Sequence, residues 1–320
     1  MKTYNDKIIF FREALDQKLK NIYTTGPDSL KYPINHVLSG SGKRFRPILA
    51  LIIADMNGVS LEQALPSALS IEILHNFTLV HDDIMDKDVL RHGIETVHEK
   101  WDINTAILSG DAMLAISLKL LMNSSLPNRQ KLIDVFVQGL LSVCEGQAID
   151  IEFENQNDVT LDSYKNMIYL KTAYMIGLSA QMGAIVSNLS DKKVLQLKEF
   201  GDCIGMAYQV QDDLLELFSD SKAMKKSLDS DFALNKKTFL WVATKYELKD
   251  ELNEILSNFK KNKDSTISNL RNFVINNGIK EKAEKFIEYN IDRSRKIIDT
   301  LDGDSSFLNY FSDLVLNREY

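Results

Sequence analysis

The chain contains few of the residues that interrupt a helix. Its 320 residues include 14 glycines and 5 prolines, and no proline lies beyond residue 127. Proline removes a backbone donor and glycine adds backbone entropy, so their scarcity disfavours a fold of short strands and tight turns. Long stretches can therefore be helical, and apolar residues recur at helical spacing, as at Ile8, Phe11 and Leu15.

Cysteine, excess positive charge and long apolar runs are also scarce. The two cysteines, Cys144 and Cys203, lie in apolar helical patterns without zinc-ligand spacing, so we expect reduced core residues and no disulfide framework. The formal net charge of −7 disfavours a broad nucleic-acid surface. The N-terminus has no hydrophobic signal core, and the apolar run at 48–54 is too short to span a bilayer. We therefore expect a soluble, cytoplasmic protein without a transmembrane segment.

The apolar periodicity predicts an all-α protein formed by a single domain over residues 1–320. Ser60, Asp162 and Ser190 are residue types that cap helix N-termini, and each precedes a segment with helical periodicity. No repeat of fixed period or linker divides the chain. The predicted helices cover residues 4–22, 29–38, 44–57, 60–87, 103–123, 127–155, 160–187, 190–219, 235–260, 264–276, 278–302 and 306–317.

Two clusters of carboxylates stand where a helix would normally bury apolar side chains. The segments LVHDDIMD and AYQVQDDLLELF supply Asp82, Asp83, Asp86, Asp212, Asp213 and Glu216. Residues three or four apart share a helix face, so each cluster places like charges about one turn apart. Mg²⁺ relieves such repulsion and shares its coordination shell with substrate phosphates, so two clusters facing each other would suit a diphosphate ester. The alternative, a solvated acidic face, is disfavoured by the apolar neighbours.

A basic segment supports an anionic ligand. GSGKRFRP at 40–47 brings Lys43, Arg44 and Arg46 together at a predicted helix start, where backbone N–H groups also favour anions. Arg91 follows the first acidic cluster and adds a further cation. An ordinary basic turn is the alternative for the segment 40–47.

A di-iron carboxylate site is a competing interpretation. Glu72 and His75 form one ExxH pair, and Glu95 and His98 form another. Such a site needs each pair on its own bundle helix. Gly93 precedes Glu95 in a polar stretch, which disfavours a helix there.

Taken together, the motifs resemble the trans-isoprenyl diphosphate synthases, the polyprenyl synthetase family that includes farnesyl and geranylgeranyl diphosphate synthases. The resemblance covers most of the chain. It is carried, in order, by GKRFRP (42–47), EILHNFTLVHDDIMD (72–86), LRHG (90–93), SGDAML (109–114), GQAID (146–150), LKTA (170–173), GMAYQVQDD (205–213) and NKKT (235–238).

The resemblance implies an isoprenoid synthase fold of long antiparallel helices around a central cavity, usually in a homodimer. It also implies that two or three Mg²⁺ ions bind between the diphosphate of an allylic substrate (dimethylallyl, geranyl or farnesyl) and the six carboxylates of the two clusters. The cations that would neutralise this diphosphate are Arg91, Lys171 and Lys236. Thr172 and Gln209 match positions that stabilise the reacting cation. Lys43, Arg46 and His75 match positions that bind isopentenyl diphosphate.

Three positions depart from the family pattern. The family usually has two arginines where this chain has Arg91 and His92, and the second helps to hold isopentenyl diphosphate. The second acidic motif ends in Glu216 instead of Asp, and NKKT lacks the usual glycine before Lys236.

Product length is expected to depend on the helix turns that precede the first acidic cluster. By resemblance, a large aromatic side chain five residues before Asp82 stops chain growth, and Phe77 occupies that position. With Thr78 leaving room beside it, the pattern is most similar to twenty-carbon synthases, and farnesyl or longer products are the alternatives. Phe77 as an ordinary core residue is a further alternative.

Two other classes of protein share part of this pattern. A terpene cyclase has the helical fold and an acidic cluster but needs no isopentenyl diphosphate site. A non-catalytic subunit of a heteromeric synthase would have lost acidic residues, whereas both clusters are intact here.

Overall fold

Helices form almost all of the structure, and the predicted all-α fold is confirmed. The computed structural model describes residues 3–40, 42–122, 125–126, 128–219, 236–258, 262–301 and 304–316. The helices of the first half are α1 (Tyr4–Leu19), α2 (Asp28–Leu38), α3 (Phe45–Met56), α4 (Leu61–Asp86), α5 (Val97–Lys100), α6 (Ile103–Met122) and α7 (Arg129–Glu154). Those of the second half are α8 (Leu161–Ile168), α9 (Tyr174–Val186), α10 (Asp191–Phe218), α11 (Phe239–Val242), α12 (Lys249–Ser257), α13 (Lys263–Asn276), α14 (Ile279–Ile298) and α15 (Ser306–Leu316).

Helix α9 lies at the centre of the bundle. Every residue from Met175 to Val186 is buried, because α9 contacts α3, α4, α7 and α10. Close approach needs a small residue: a Cβ atom added at Gly183 would lie 2.6 Å from the carbonyl oxygen of Ala50 on α3. Since α4 and α10 both pack against α9, the two acidic clusters at their C-terminal ends come close together.

Local chemistry sets the ends of these helices. Ser60 caps α4 in a capping box with Gln63, as expected from the sequence. The prediction that Asp162 caps α8 is wrong, because the Thr160 side chain accepts the hydrogen bond from the Ser163 N–H. Ser190 precedes α10 as predicted, but its side chain makes no capping hydrogen bond.

Two predicted helices are interrupted. The segment 160–187 contains a π-helical turn, Tyr169–Ala173, between α8 and α9. The segment 235–260 is not one helix: within its described residues are α11, a 3₁₀ turn at Tyr246–Leu248 and α12. Residues 235, 259 and 260 of that prediction lie outside the described residues, as do the predicted helix ends at 123, 127, 302 and 317.

A hairpin that the sequence did not predict follows α4. Its strands, β1 (Leu90–Arg91) and β2 (Ile94–Glu95), pair antiparallel. His92 and Gly93 join them with φ values of 51° and 83°, and two such residues are typical of a tight type I′ turn. The hairpin turns Arg91 back toward α4.

Helices α6 and α7 are long and apolar enough, by length and composition alone, to cross a membrane. This is weak support for a membrane span, because core helices of soluble proteins meet the same test. Both helices pack within the bundle, α6 against α4 and α7 against α9.

Candidate active site

The two acidic clusters border one cavity, called here the main cavity. It has a volume of about 310 Å³ and lies between α4, α7, the π-helical turn, α10 and residues 236–238. The predicted site residues that line it are Arg46, His75, Thr78, Asp82, Asp86, Arg91, Lys171, Thr172, Gln209, Asp213, Glu216 and Lys236.

The carboxylates of the first cluster point to two faces of α4. Asp82 and Asp86 line the main cavity, whereas Asp83 is only 4% exposed and accepts a hydrogen bond from Nε of Arg91. Burial raises the pKa of Asp83 to about 6, although Arg91 opposes the shift. Burial also raises the pKa of Asp82, where Lys171 opposes the shift and Asp86 adds to it. Asp82 and Asp86 are therefore the pair that a cation in the cavity would neutralise.

In the second cluster, Asp213 and Glu216 both line the main cavity, and Asp213 is also held by hydrogen bonds. Asp213 is 6% exposed. It accepts hydrogen bonds from the Tyr164 hydroxyl at 2.5 Å, the Phe239 backbone N–H at 2.6 Å and Nε2 of Gln209 at 3.0 Å. Glu216 lines the main cavity one turn later, and Asp212 is half-buried beside the lining. The carboxylate of Asp213 thus joins three segments of the chain around the cavity.

Two lysines reach carboxylates on α4 and α7. Nζ of Lys171 donates to Asp150 at 2.6 Å. Nζ of Lys236 lies 3.1 Å from both Asp86 and Asp150 and 2.9 Å from Glu154. Burial disfavours both charges, but the facing carboxylates raise the pKa of each lysine. Both side chains are therefore cations at neutral pH, and an entering anion would compete with Asp150 for them.

A polar pair lies next to these lysines. The Thr172 hydroxyl donates to Oε1 of Gln209 at 2.8 Å, and Nε2 of Gln209 donates to Asp213. Both residues line the main cavity. Their oxygens are therefore available to face a positive charge that develops in it.

Arg46 and the neutral His75 form a second polar region of the main cavity. Nη1 of Arg46 lies 3.1 Å from Nε2 of His75. Burial and the nearby Arg46 hold the pKa of His75 well below its usual range, so the imidazole is neutral and accepts the hydrogen bond. Nε of Arg46 is buried and has no hydrogen-bond partner among the described residues. A buried guanidinium with an unused donor fits an anionic ligand.

Comparison with known proteins assigns the family. The family model described as polyprenyl synthetase matches residues 27–274. The chain belongs to the polyprenyl synthetase family. It is 33% identical to a geranylgeranyl diphosphate synthase of Saccharolobus solfataricus, over 91% of this chain and 99% of that protein. It is 35% identical to a geranylfarnesyl diphosphate synthase of Natronomonas pharaonis, over 67% and 68% of the two chains.

The fold of this polyprenyl synthetase matches solved structures of the same family. A crystal structure of a geranylgeranyl pyrophosphate synthase superposes with a TM-score of 0.90 at 35% identity, over 99% of this chain and 98% of that one. The chain is therefore a prenyltransferase of the isoprenoid synthase fold.

Arg44 does not have the environment predicted for a substrate ligand. It is 5% exposed, and its guanidinium lies 2.6 Å from Glu72 and 2.9 Å from Asp16. It also donates to the backbone carbonyls of Leu38 and Gly40. Its donors are used within the protein, so this polyprenyl synthetase employs Arg44 to join α1, α2 and α4.

The remaining predicted residues do not line the main cavity. Lys43 is exposed. His92 lines a separate cavity of about 50 Å³ together with Asp83 and Arg91, and burial and Arg91 lower its pKa. Phe77 is buried against His81, with ring centroids 4.7 Å apart, whereas its neighbour Thr78 lines the main cavity.

Several lining residues were not predicted. Asp150 lies in the motif GQAID, and its role could not be assigned from the sequence, because its partners Lys171 and Lys236 come from distant segments. Tyr164 gave no signal, because its contact with Asp213 joins distant segments. Val143, Met167, Ile168 and Met175 supply apolar lining, and periodicity alone cannot distinguish such residues from core.

The structure corrects one expectation and rejects one alternative that the sequence already disfavoured. Cys203 is buried as expected, but Cys144 is exposed on α7. The two ExxH pairs do not form the di-iron arrangement, because Glu95 lies on β2 and not on a helix, and Glu72 is paired with Arg44.

Proposed function

We propose that this polyprenyl synthetase joins isopentenyl diphosphate to an allylic diphosphate in a Mg²⁺-dependent reaction and releases geranylgeranyl diphosphate. The proposal rests mainly on one observation: Asp82, Asp86 and Glu216 line the same cavity as Lys171 and Lys236. Such a cavity offers carboxylates for a metal and ammonium groups for a diphosphate.

The donor set fits Mg²⁺. Among the described residues, no group of three or more His, Cys, Asp or Glu side chains is arranged to hold a metal. Mg²⁺ needs only one or two carboxylates, because it completes its shell with water and substrate phosphates. Asp82 and Asp86 would hold it on α4, and Glu216 and Asp212 on α10. When bound, Mg²⁺ would neutralise the diphosphate and make it a better leaving group.

The protein's own side chains would then direct the reaction. Lys171, Lys236 and Arg91 bind the allylic diphosphate, which takes the electron pair when its C–O bond breaks. The oxygens of Thr172 and Gln209 face the allylic cation that remains. A new C–C bond then forms from the double bond of isopentenyl diphosphate, and the released diphosphate accepts the proton that is lost.

Lys43, Arg46 and His75 would hold isopentenyl diphosphate. The unused buried donor of Arg46 supports this assignment. His75 is neutral, so it orients the guanidinium without competing for the anion. His92, which matches a family position that helps to hold isopentenyl diphosphate, lines the separate smaller cavity with Arg91.

A second copy of the chain would cover the apolar face of α6 and α7, giving a homodimer. Exposed apolar residues on the two helices are Ile103, Ile107, Leu108, Met122, Val137, Leu141 and Ile151. Helices α6 and α7 pack against each other, so we assign their exposed apolar residues to one surface. Asp111 and Glu145 are exposed on the same helices, and charges there oppose burial in lipid.

The test is incubation of the purified chain with Mg²⁺, labelled isopentenyl diphosphate and each of the dimethylallyl, geranyl and farnesyl primers. Product length is then measured by chromatography. We expect a twenty-carbon product, and about a 100-fold loss of turnover in Asp82→Ala and Asp213→Ala. The control Asp292→Ala, an exposed aspartate on α14, should retain activity. Release of a cyclic hydrocarbon from an allylic diphosphate alone would contradict the proposal.

A further inference from the structure

The π-helical turn carries two residues of the proposed active site. The Tyr174 N–H donates to the carbonyl of Tyr169, five residues earlier. Lys171 and Thr172 lie within this wide turn and reach Asp150 and Gln209. π-Turns are rare in proteins as a whole, but those that occur are often found at functional sites. The contacts that maintain this turn therefore affect the placement of Lys171 and Thr172.

Two neighbouring helices closely contact the backbone of the turn. A Cβ atom added at Gly146 of α7 would lie 2.4 Å from the backbone nitrogen of Lys171. One added at Gly205 of α10 would lie 2.4 Å from Cα of Ala173. The turn is thus held between two helices that approach it at van der Waals distance. These contacts position the backbone but do not explain why the turn stays wide.

A partly buried ammonium group, that of Lys198, contacts the two residues that close the turn. Nζ of Lys198 on α10 lies 3.2 Å from the Tyr169 hydroxyl and 4.2 Å from the ring centroid of Tyr174. Lys198 also forms an ion pair at 2.8 Å with Asp202, and the two side chains are 14% and 18% exposed. Asp202 fits only because α9 has a glycine opposite: a Cβ atom at Gly177 would lie 1.8 Å from Oδ1 of Asp202.

We propose that Lys198, held by Asp202, is a positioning residue that keeps the π-turn wide and thereby places Lys171 and Thr172. Neither Lys198 nor Asp202 lines the main cavity, so the pair acts through the turn and not on substrate. Without the ammonium, Tyr169 and Tyr174 lose their common partner, and the turn can relax to α-helical geometry. Conversion of the π-helical turn to an α-helical one would shift the helical register by one residue. Such a shift rotates side chains relative to each other by about 100°.

This inference rests on the proposed function, and its test uses the full chain. Lys198→Met keeps the length of the side chain and removes the charge. We expect kcat to fall about 10-fold and KM for the allylic diphosphate to rise, because small displacements of positioning groups have large effects on rate. KM for isopentenyl diphosphate should stay within about 2-fold, since Arg46 and His75 lie on α3 and α4.

Two further variants separate positioning from general stability. Lys198→Arg keeps a cation for Asp202 and the two rings, and should recover most of the activity. Lys131→Met removes an ion pair between α7 and Asp191 at the start of α10, away from the turn, and should leave the kinetic constants unchanged. Equal loss in Lys198→Arg and Lys198→Met, or unchanged constants in Lys198→Met, would overturn the inference.

A binding measurement separates the two proposals. Calorimetry of inorganic diphosphate with Mg²⁺ reports on Lys171 without turnover, and we expect about 10-fold weaker binding in Lys198→Met. If the unaltered chain binds diphosphate but makes no prenyl product, the proposed function fails while the positioning inference is still tested. Equal diphosphate affinity in the unaltered chain and in Lys198→Met would refute the positioning role. Asp202→Asn provides a second variant if Lys198→Met does not fold.

Discussion

Single residues of one motif differ in what they do in this protein. Asp82 and Asp86 line the main cavity, whereas Asp83 is buried against Arg91. Residues of the basic segment also differ in their contacts. Nε of Arg46 has no hydrogen-bond partner among the described residues, whereas the guanidinium of Arg44 donates to Glu72. Adjacent residues on a helix, such as Asp82 and Asp83, point about 100° apart and reach different surroundings, whereas Arg44 precedes helix α3 with a φ of 52°.

Arg44 should therefore affect stability more than substrate binding. Its ion pair with Glu72 has side-chain exposures of 3% and 5%, and removal of one partner from a buried pair costs about 3–5 kcal/mol. We expect a loss of this size in the free energy of unfolding of Arg44→Met, measured by urea denaturation. Lys43→Met is the control: it should change that free energy by less than about 0.5 kcal/mol and raise KM for isopentenyl diphosphate.

His75 should make stability depend on pH. Burial and Arg46 lower the pKa of His75 in the folded protein. In the unfolded chain the pKa is about 6.5. Below that pH the unfolded chain therefore binds a proton at His75 that the folded protein does not. Its contribution to stability is present above pH 6.5 and is lost as pH falls toward the folded pKa, by up to about 1.4 kcal/mol per pH unit.

The measurement is urea denaturation of the unaltered chain and of His75→Gln at pH 7, 6 and 5. The difference in unfolding free energy between the two proteins should shrink as pH falls. A difference that stays constant over this range would show that His75 titrates normally.

At the scale of elements, helix α4 should control product length. Phe77 and Thr78 precede the first acidic cluster, and Thr78 already lines the main cavity beside the apolar residues Val143 and Met175. Each added isoprene buries five carbons, worth about 4 kcal/mol at 0.8 kcal/mol per carbon, so growth is favourable until a side chain blocks it.

We expect Thr78→Phe to shorten the product to fifteen carbons or fewer, because a ring would fill the space that the chain needs. Phe77→Ala should lengthen the product if its ring closes the end of the cavity. Both outcomes are read from chain-length analysis with a farnesyl and a geranyl primer. The same product from Phe77→Ala as from the unaltered chain would leave Phe77 as a core residue, in agreement with its contact with His81.

The sequence predicted those elements whose signals are local. Helices α4 and α10 follow from apolar periodicity, and Ser60 marks the start of α4 through its capping box. The acidic residues could be assigned to one site because their apolar surroundings are visible in the sequence. The roles of Lys171, Lys236 and Gln209 were predicted from family resemblance, because no local pattern identifies these residues.

Features that depend on tertiary contacts were not predictable. The π-turn has one extra residue in a helical pattern, and its backbone is positioned by contacts from Gly146 of α7 and Gly205 of α10. Within the described part of the predicted helix 235–260, the first helix begins only at Phe239, whose backbone N–H donates to Asp213 on α10. The hairpin turn at His92 and Gly93 lacks the Asn-Gly or Asp-Gly pair that marks most such turns.

At the scale of the whole molecule, the apolar face of α6 and α7 should govern assembly. Leu108 on this face is 61% exposed. Leu195 on α10 is exposed to the same extent, and helix α10 packs against α9 and α14. We expect Leu108→Glu to give a monomer in analytical ultracentrifugation, because a charge on a buried apolar interface is costly. Leu195→Glu, with the same exposure on another face, should sediment like the unaltered chain. Monomeric behaviour of the unaltered chain would exclude this surface as a dimer interface.

If the main cavity binds a metal and a diphosphate as proposed, the ion pairs of Lys236 imply that the two bind cooperatively. A metal that arrives alone must separate Asp86 from Lys236, and an anion that arrives alone must draw Lys236 away from Asp86 and Asp150. When both arrive, each provides a partner for the group that the other displaces. By thermodynamic linkage, Mg²⁺ and diphosphate must then raise each other's affinity by the same factor, so neither should saturate the empty protein at concentrations that suffice for the pair.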